Sequence, residues 1–174
     1  MDKKQLEIKK IRKSFPYAKI IDYSELNLFS DEVYLIDLDE LIKDKVEELS
    51  GEVIFYFDVF SIVGLYNKDS FFLKANYSIK KIENNFLINI KLSADIDLEC
   101  DLCGRDFVYT FKYDIQEIHS KYNFSNFQNE NSNEIDNVFL LNSDQIDIGK
   151  IIIENFISNL PLKFSDNCRK NEDK

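Results

Sequence analysis

The chain reads as an α+β domain, an antiparallel sheet or partly closed barrel covered by two to three helices. Three observations predict it. Residues 71–82, 86–98 and 107–118 alternate apolar and polar side chains around short turn signals, the pattern of an antiparallel meander with one buried face. Val53–Phe60 (VIFYFDVF) is β-branched and aromatic and reads as a buried strand. Ile148, Ile151, Ile152, Phe156 and Leu160 recur at helical spacing, so a buried helix over 148–160 is available to cover the sheet.

Taken in order, residues 1–16 form a basic N-terminal helical extension, with Leu6, Ile8, Ile11 and Phe15 set among lysines and Pro16 closing the helix. Residues 17–174 form a single domain. Tyr17–Tyr23 and Val33–Leu38 read as short strands. Asp37-Leu-Asp-Glu40 has the form of a capping box, and Leu38, Leu41, Ile42, Val46 and Leu49 follow at helical spacing up to Gly51, so a helix is expected over 38–49. Ser61–Ser70 reads as a loop, and Glu83-Asn84-Asn85 as the turn of the 71–82/86–98 hairpin. The Asn- and Ser-rich run at about 119–137 lacks periodicity and reads as a flexible polar loop. Val138–Leu141 is read as a short edge strand, and Asp147 as the N-cap of the last helix, which Pro161 ends.

Between two of the strands lies Cys100-Asp-Leu-Cys103-Gly104, the turn of a long hairpin. It admits three readings. Two thiolates two residues apart supply half of a tetrahedral zinc site, with Cys168 as third donor if the tail folds back and His119, Asp101 or Asp166 as fourth. The same spacing serves a thiol–disulfide oxidoreductase, but such enzymes set the first cysteine at a helix N-terminus, and here strands flank the pair with Glu99 and Asp101 adding like charge. The third reading, a structural turn with free thiols, is preferred. No cofactor is expected; zinc at Cys100, Cys103 and Cys168 is the one the donor set admits.

Charge narrows the partners. The net charge is −10, yet residues 1–13 hold six Lys/Arg against Asp2 and Glu7, leaving a body at −14. An acidic body repels phosphate and favours basic protein partners. No run of about 18 apolar residues occurs, and the first 30 residues lack an apolar signal region. A cytoplasmic protein without membrane partners is expected, and three cysteines do not make a secreted disulfide framework. Four glycines are too few and too scattered for a phosphate-binding loop. The single His119 is read as a solvent-facing residue at a strand end. No catalytic residue is assigned, and the protein is expected not to be an enzyme.

LECDLCGRDF followed by DQIDIGKIIIENFISNLPLKFSDNC resembles the YceD family of bacterial and plastid proteins. Cys100, Cys103, Ile146-Asp147-Ile148, Glu154, Leu160-Pro161 and Cys168 match its pattern in order, over roughly residues 33–168. Many members carry a final cysteine pair, of which Cys168 alone stands here. The resemblance implies a role in accumulation of 23S rRNA and assembly of the large ribosomal subunit, without an established enzymatic activity. Large-subunit ribosomal or assembly proteins are then the expected partners, with rRNA contact secondary.

Overall fold

A computed structural model describes residues 3–23, 32–58, 67–121 and 138–165. The elements are α1 (Lys3–Ser14), β1 (Lys19–Asp22), β2 (Leu35–Asp37), α2 (Asp39–Ile42), β3 (Glu48–Phe57), β4 (Phe71–Ile82), β5 (Asn85–Glu99), β6 (Asp106–Ser120), β7 (Val138–Leu140), β8 (Gln145–Asp147) and α3 (Ile148–Ser158). Six strands form one sheet in the order β1-β3-β4-β5-β6-β7, and β2 pairs with β8 in a second, two-stranded sheet. The central four strands are antiparallel, whereas β1 joins β3 and β7 joins β6 in parallel. The class is α+β, but the large sheet is open and mixed, so the partly closed barrel is not formed.

Period-2 alternation sends one set of side chains to each face of the sheet. On the inner face, Phe55 and Phe57 of β3, Leu73 and Ile79 of β4, and Ile88, Ile90 and Ile96 of β5 are all but inaccessible to solvent. Helix α3 lays Ile148, Ile152, Ile153 and Phe156 against the same core. Phe156 meets Phe57, Phe71 and Phe111 at ring distances of 5.5, 6.1 and 4.9 Å. Full burial of one such ring contributes about 2–3 kcal/mol. Tyr77 shares this core, its hydroxyl 3.3 Å from that of Tyr34, and burial first, then Tyr34, pushes its phenol above the ordinary value of 10.0. On the outer face β5 presents Asp95, Ser93, Lys91 and Asn89, and α1 packs across the β4 side, with Lys74 Nζ 4.7 Å above the Phe15 ring.

The meander follows the alternation closely. β4 and β5 pair from Lys74↔Ser93 to Ile82↔Asn85 around Glu83-Asn84, where Glu83 takes a left-handed φ of 54°. β5 and β6 then run fifteen residues each, paired along their full length from Asn85↔Ser120 to Glu99↔Asp106. β7 continues the sheet beyond β6 only at Ile118–Ser120.

The helix expected over 38–49 is one turn, Asp39–Ile42. Its N-cap is Leu38, without a side-chain cap bond, so the capping box expected at Asp37 is not formed; Asp37 Oδ1 accepts from Asp39 N–H at 2.9 Å, and Asp44 turns the chain out with φ 53°. Glu48–Gly51 then pairs with Tyr77–Lys80, so the long β3–β4 ladder takes the residues that helical spacing claimed. Gly51 is therefore a strand position rather than a helix cap. Its missing side chain admits the Tyr77 ring, which an added Cβ would meet at 2.5–2.9 Å. Of the other expected features, Phe60, residues 61–66, the loop residues 122–137 and the tail beyond Ser165 lie outside the described residues.

Candidate functional site

The cysteine turn joins the ends of the two longest strands. Cys100 N–H donates to the Arg105 carbonyl at 2.8 Å and Gly104 N–H to the Cys100 carbonyl at 2.9 Å, with Gly104 at φ 69°, where glycine is favoured. Cys100 is buried at 2% exposure, whereas Cys103 is exposed and accepts from Arg105 Nε at 3.4 Å. The C-terminal segment is docked on this turn. Asp101 N–H donates to the Phe164 carbonyl at 2.8 Å, Phe164 N–H donates to Asp101 Oδ2 at 2.6 Å, and the Phe164 ring meets Tyr109 edge-on at 5.1 Å.

Cys168 lies outside the described residues, so no geometry joins it to the other two thiols. Phe164, four residues before it, is nevertheless fixed at the turn, and four residues of chain reach about 14 Å at most. His119 is no candidate fourth ligand. It sits at the far end of β6, opposite Phe86, roughly 45 Å of strand from Arg105. The Asp101 carboxylate is occupied with the tail.

His119 is not solvent-facing, nor is it in a loop: it belongs to β6 and is 7% exposed. Its Nε2 lies 2.9 Å from Glu117 Oε2, its ring stacks on Phe139 at 5.1 Å, and Asn155 of α3 donates to Glu117 Oε1 at 3.2 Å. The buried Glu117 and His119 and the half-buried Asn155 line an open cleft of about 730 Å³ between β6, β7 and α3, whose lining also includes Leu140, Lys150 and Glu154. The signal was available in the sequence. Glu117 and His119 share the parity of Phe111 and Ile115, so the strand that buries those two turns all four inward.

Asp147 is the third polar anchor. As the N-cap of α3 its Oδ1 accepts from Lys150 N–H at 3.0 Å, while Oδ1 and Oδ2 accept from Tyr34 and Val33 N–H, each at 2.9 Å. One carboxylate thus ties the last helix to the segment leading into β2. Gly149 allows the close approach, since an added Cβ would stand 2.8 Å from the Tyr34 backbone nitrogen and 2.6 Å from Val33 Cγ1.

Charge on the surface is unevenly partnered. Lys43, Lys68, Lys80, Lys81 and Lys121 pair with Asp39, Asp106, Glu48, Asp44 and Asp144. In α1, Lys3 holds Asp69 at 2.7 Å, and this contact raises the Lys3 pKa and lowers that of Asp69. Lys4 pairs with Asp22. Among the described residues, Lys9, Lys10, Arg12 and Lys13 of α1 form no ion pair and face solvent.

No helix among the described residues is long and apolar enough to cross a membrane. No group of three metal-ligating side chains occurs among the described residues, which include two of the three cysteines. Neither a curated protein nor a solved structure matches the chain. A family model described as "Large ribosomal RNA subunit accumulation protein YceD" matches residues 88–174, half of the chain. That span holds the cysteine turn, the Glu117–His119 pair, the Asp147 cap and α3, and by this match the chain belongs to the YceD family.

Proposed function

We propose that this protein supports accumulation of 23S rRNA and assembly of the large ribosomal subunit, as a non-catalytic factor working through protein partners. The observation that carries the reading is the family match over the segment that holds the Glu117–His119 pair, Asp147 and Asp101. In that segment the anchors spend their hydrogen bonds inside the fold: Asp147 on Val33, Tyr34 and Lys150, Glu117 on His119 and Asn155, and Asp101 on Phe164. Such anchors hold a shape for a partner. The acidic body favours basic proteins of the large subunit or its assembly machinery in the cytoplasm, and any contact with rRNA falls to the basic N-terminal segment. Deleting the gene should lower 23S relative to 16S rRNA, and the tagged protein should co-purify with large-subunit precursors. Normal rRNA ratios together with no ribosomal co-purification would sink the reading.

A zinc-bound form is the second reading, favoured by the docking of Phe164, four residues before Cys168, on Asp101 of the cysteine turn. Native mass spectrometry should then find one zinc per chain, lost in Cys103→Ser. A metal-free wild type prepared without chelator would refute it. The oxidoreductase alternative gains nothing from the turn, where the first thiol is buried and strands β5 and β6 flank the pair.

A further inference from the structure

The four solvent-facing cations of α1 sit on a helix that leaves them little reason to be together. Lys4, Glu7, Ile8, Ile11 and Phe15 are half-buried against the outer face of the sheet, while Lys9, Lys10, Arg12 and Lys13 are exposed on the opposite side. These four span about 6 Å of helix axis. Lys9–Lys13 is a like-charge pair at i,i+4, and Lys9–Arg12 and Lys10–Lys13 are like-charge pairs at i,i+3. Each such pair destabilises a helix by a few tenths of a kcal/mol. The macrodipole favours cations in the last turn, which accounts for Arg12 and Lys13 but not for Lys9 and Lys10. No residue of α1 is fully buried, so packing does not dictate the cluster.

The neighbouring surface extends it. A groove of about 600 Å³ runs between Ile11 and the outer sheet face, lined by Lys74, Lys112, Ser93 and Thr110 and also by Phe71, Phe72 and Ala94. The one carboxylate in its lining, Asp95, accepts from Thr110 Oγ1 at 2.8 Å. Cations and hydroxyls in an open channel beside a helix match a phosphodiester backbone, which offers anionic oxygens at regular intervals.

We propose that α1 and the groove beside it form a sequence-independent contact surface for RNA phosphates, on the opposite side of the sheet from α3. Helix α1 lies outside the family-matched segment, while the groove draws Ser93, Thr110 and Lys112 from within it, and together they give the RNA contact of the assembly reading a defined surface. The inference rests on that reading for its biological setting and on charge geometry for its chemistry.

The test is fluorescence anisotropy with the full chain and a labelled single-stranded RNA of about 20 nucleotides. The four α1 cations alone contribute a salt slope near −2.8, so affinity should fall at least about 50-fold between 50 and 200 mM KCl. The variant carrying Lys9→Gln, Lys10→Gln, Arg12→Gln and Lys13→Gln should flatten the slope by about that amount, leaving only the share of Lys74 and Lys112. Glutamine keeps helix propensity and the replaced side chains are exposed, so its circular dichroism should match wild type. A control with Lys43→Gln, Lys80→Gln, Lys81→Gln and Lys121→Gln makes the same change in net charge away from the surface and should keep the wild-type slope. Equal losses in both variants, or a wild-type slope shallower than about −1, would overturn the proposal. So would tighter binding to phosphatidylserine vesicles than to RNA. Normal 23S:16S ratios in the deletion strain together with no ribosomal co-purification defeat the assembly reading whatever α1 does, whereas a flat salt slope defeats this inference and leaves that reading standing.

Discussion

Replacing Asp147 with alanine removes the acceptor for three backbone N–H groups at once. Loss of the helix N-cap costs about 1 kcal/mol. The Val33 and Tyr34 N–H groups lose a charged acceptor in a half-buried position, which costs about 1–1.5 kcal/mol each. The sum is about 3–4 kcal/mol, a large share of the ~5–15 kcal/mol that stabilises an ordinary domain. With a urea m-value near 2 kcal/mol/M, the midpoint of unfolding should fall by about 1.5–2 M. Asp147→Asn keeps Oδ1 for Tyr34 and Lys150 and loses the acceptor facing Val33, so it should cost less than half as much. Urea titration followed by circular dichroism measures both. A midpoint shift below about 0.5 M for the alanine variant, or equal shifts for the two, would refute the three-bond account.

Gly149→Ala should destabilise by about 1–3 kcal/mol although alanine is the better helix former, because its methyl would press on the Tyr34 backbone; thermal melts give the sign. Tyr77 is neutral in the fold with a raised pKa, so its stabilising contribution is complete below pH 10.0 and is lost as the pH climbs toward the folded value. Stability should therefore decline above pH 10.0, and Tyr77→Phe should make that alkaline decline shallower in urea titrations at successive pH values. Asp101→Ala should free the C-terminal segment from the cysteine turn, seen as faster limited proteolysis after Phe164 with little change in the global melting temperature; unchanged cleavage would show that the Tyr109 contact alone suffices.

The meander was legible because its alternation is nearly unbroken from Phe71 to Ile115, and each slip of one residue would turn the apolar set to water. The Asp147 cap and α3 were legible for the same reason, since local pattern and tertiary packing agree there. The helix expected over 38–49 failed where they disagree: Val46 and Leu49 fit a helical stripe, but the β3–β4 ladder reaches back to Glu48. His119 was misplaced because a polar residue at the start of an Asn-rich run looks like loop, when strand parity alone decides where it points. The joining of Asp101 to Phe164 and of Asp147 to Val33 and Tyr34 spans 63 to 114 residues and carries no local signal.

β7 covers β6 only at Ile118–Ser120. Among the described residues, the rest of that edge, from Asp106 to Glu117, presents backbone donors and acceptors to water over roughly 40 Å. A row of this length is a template on which another extended chain could add, including a second copy during synthesis or at high concentration. Lys112, Asp114 and Gln116 stand exposed along it, and they put charge and hydration where an incoming strand would have to dry the surface. Those side chains add little to the stability of the monomer. Their contribution is to colloidal behaviour, keeping a long edge strand from recruiting its own kind.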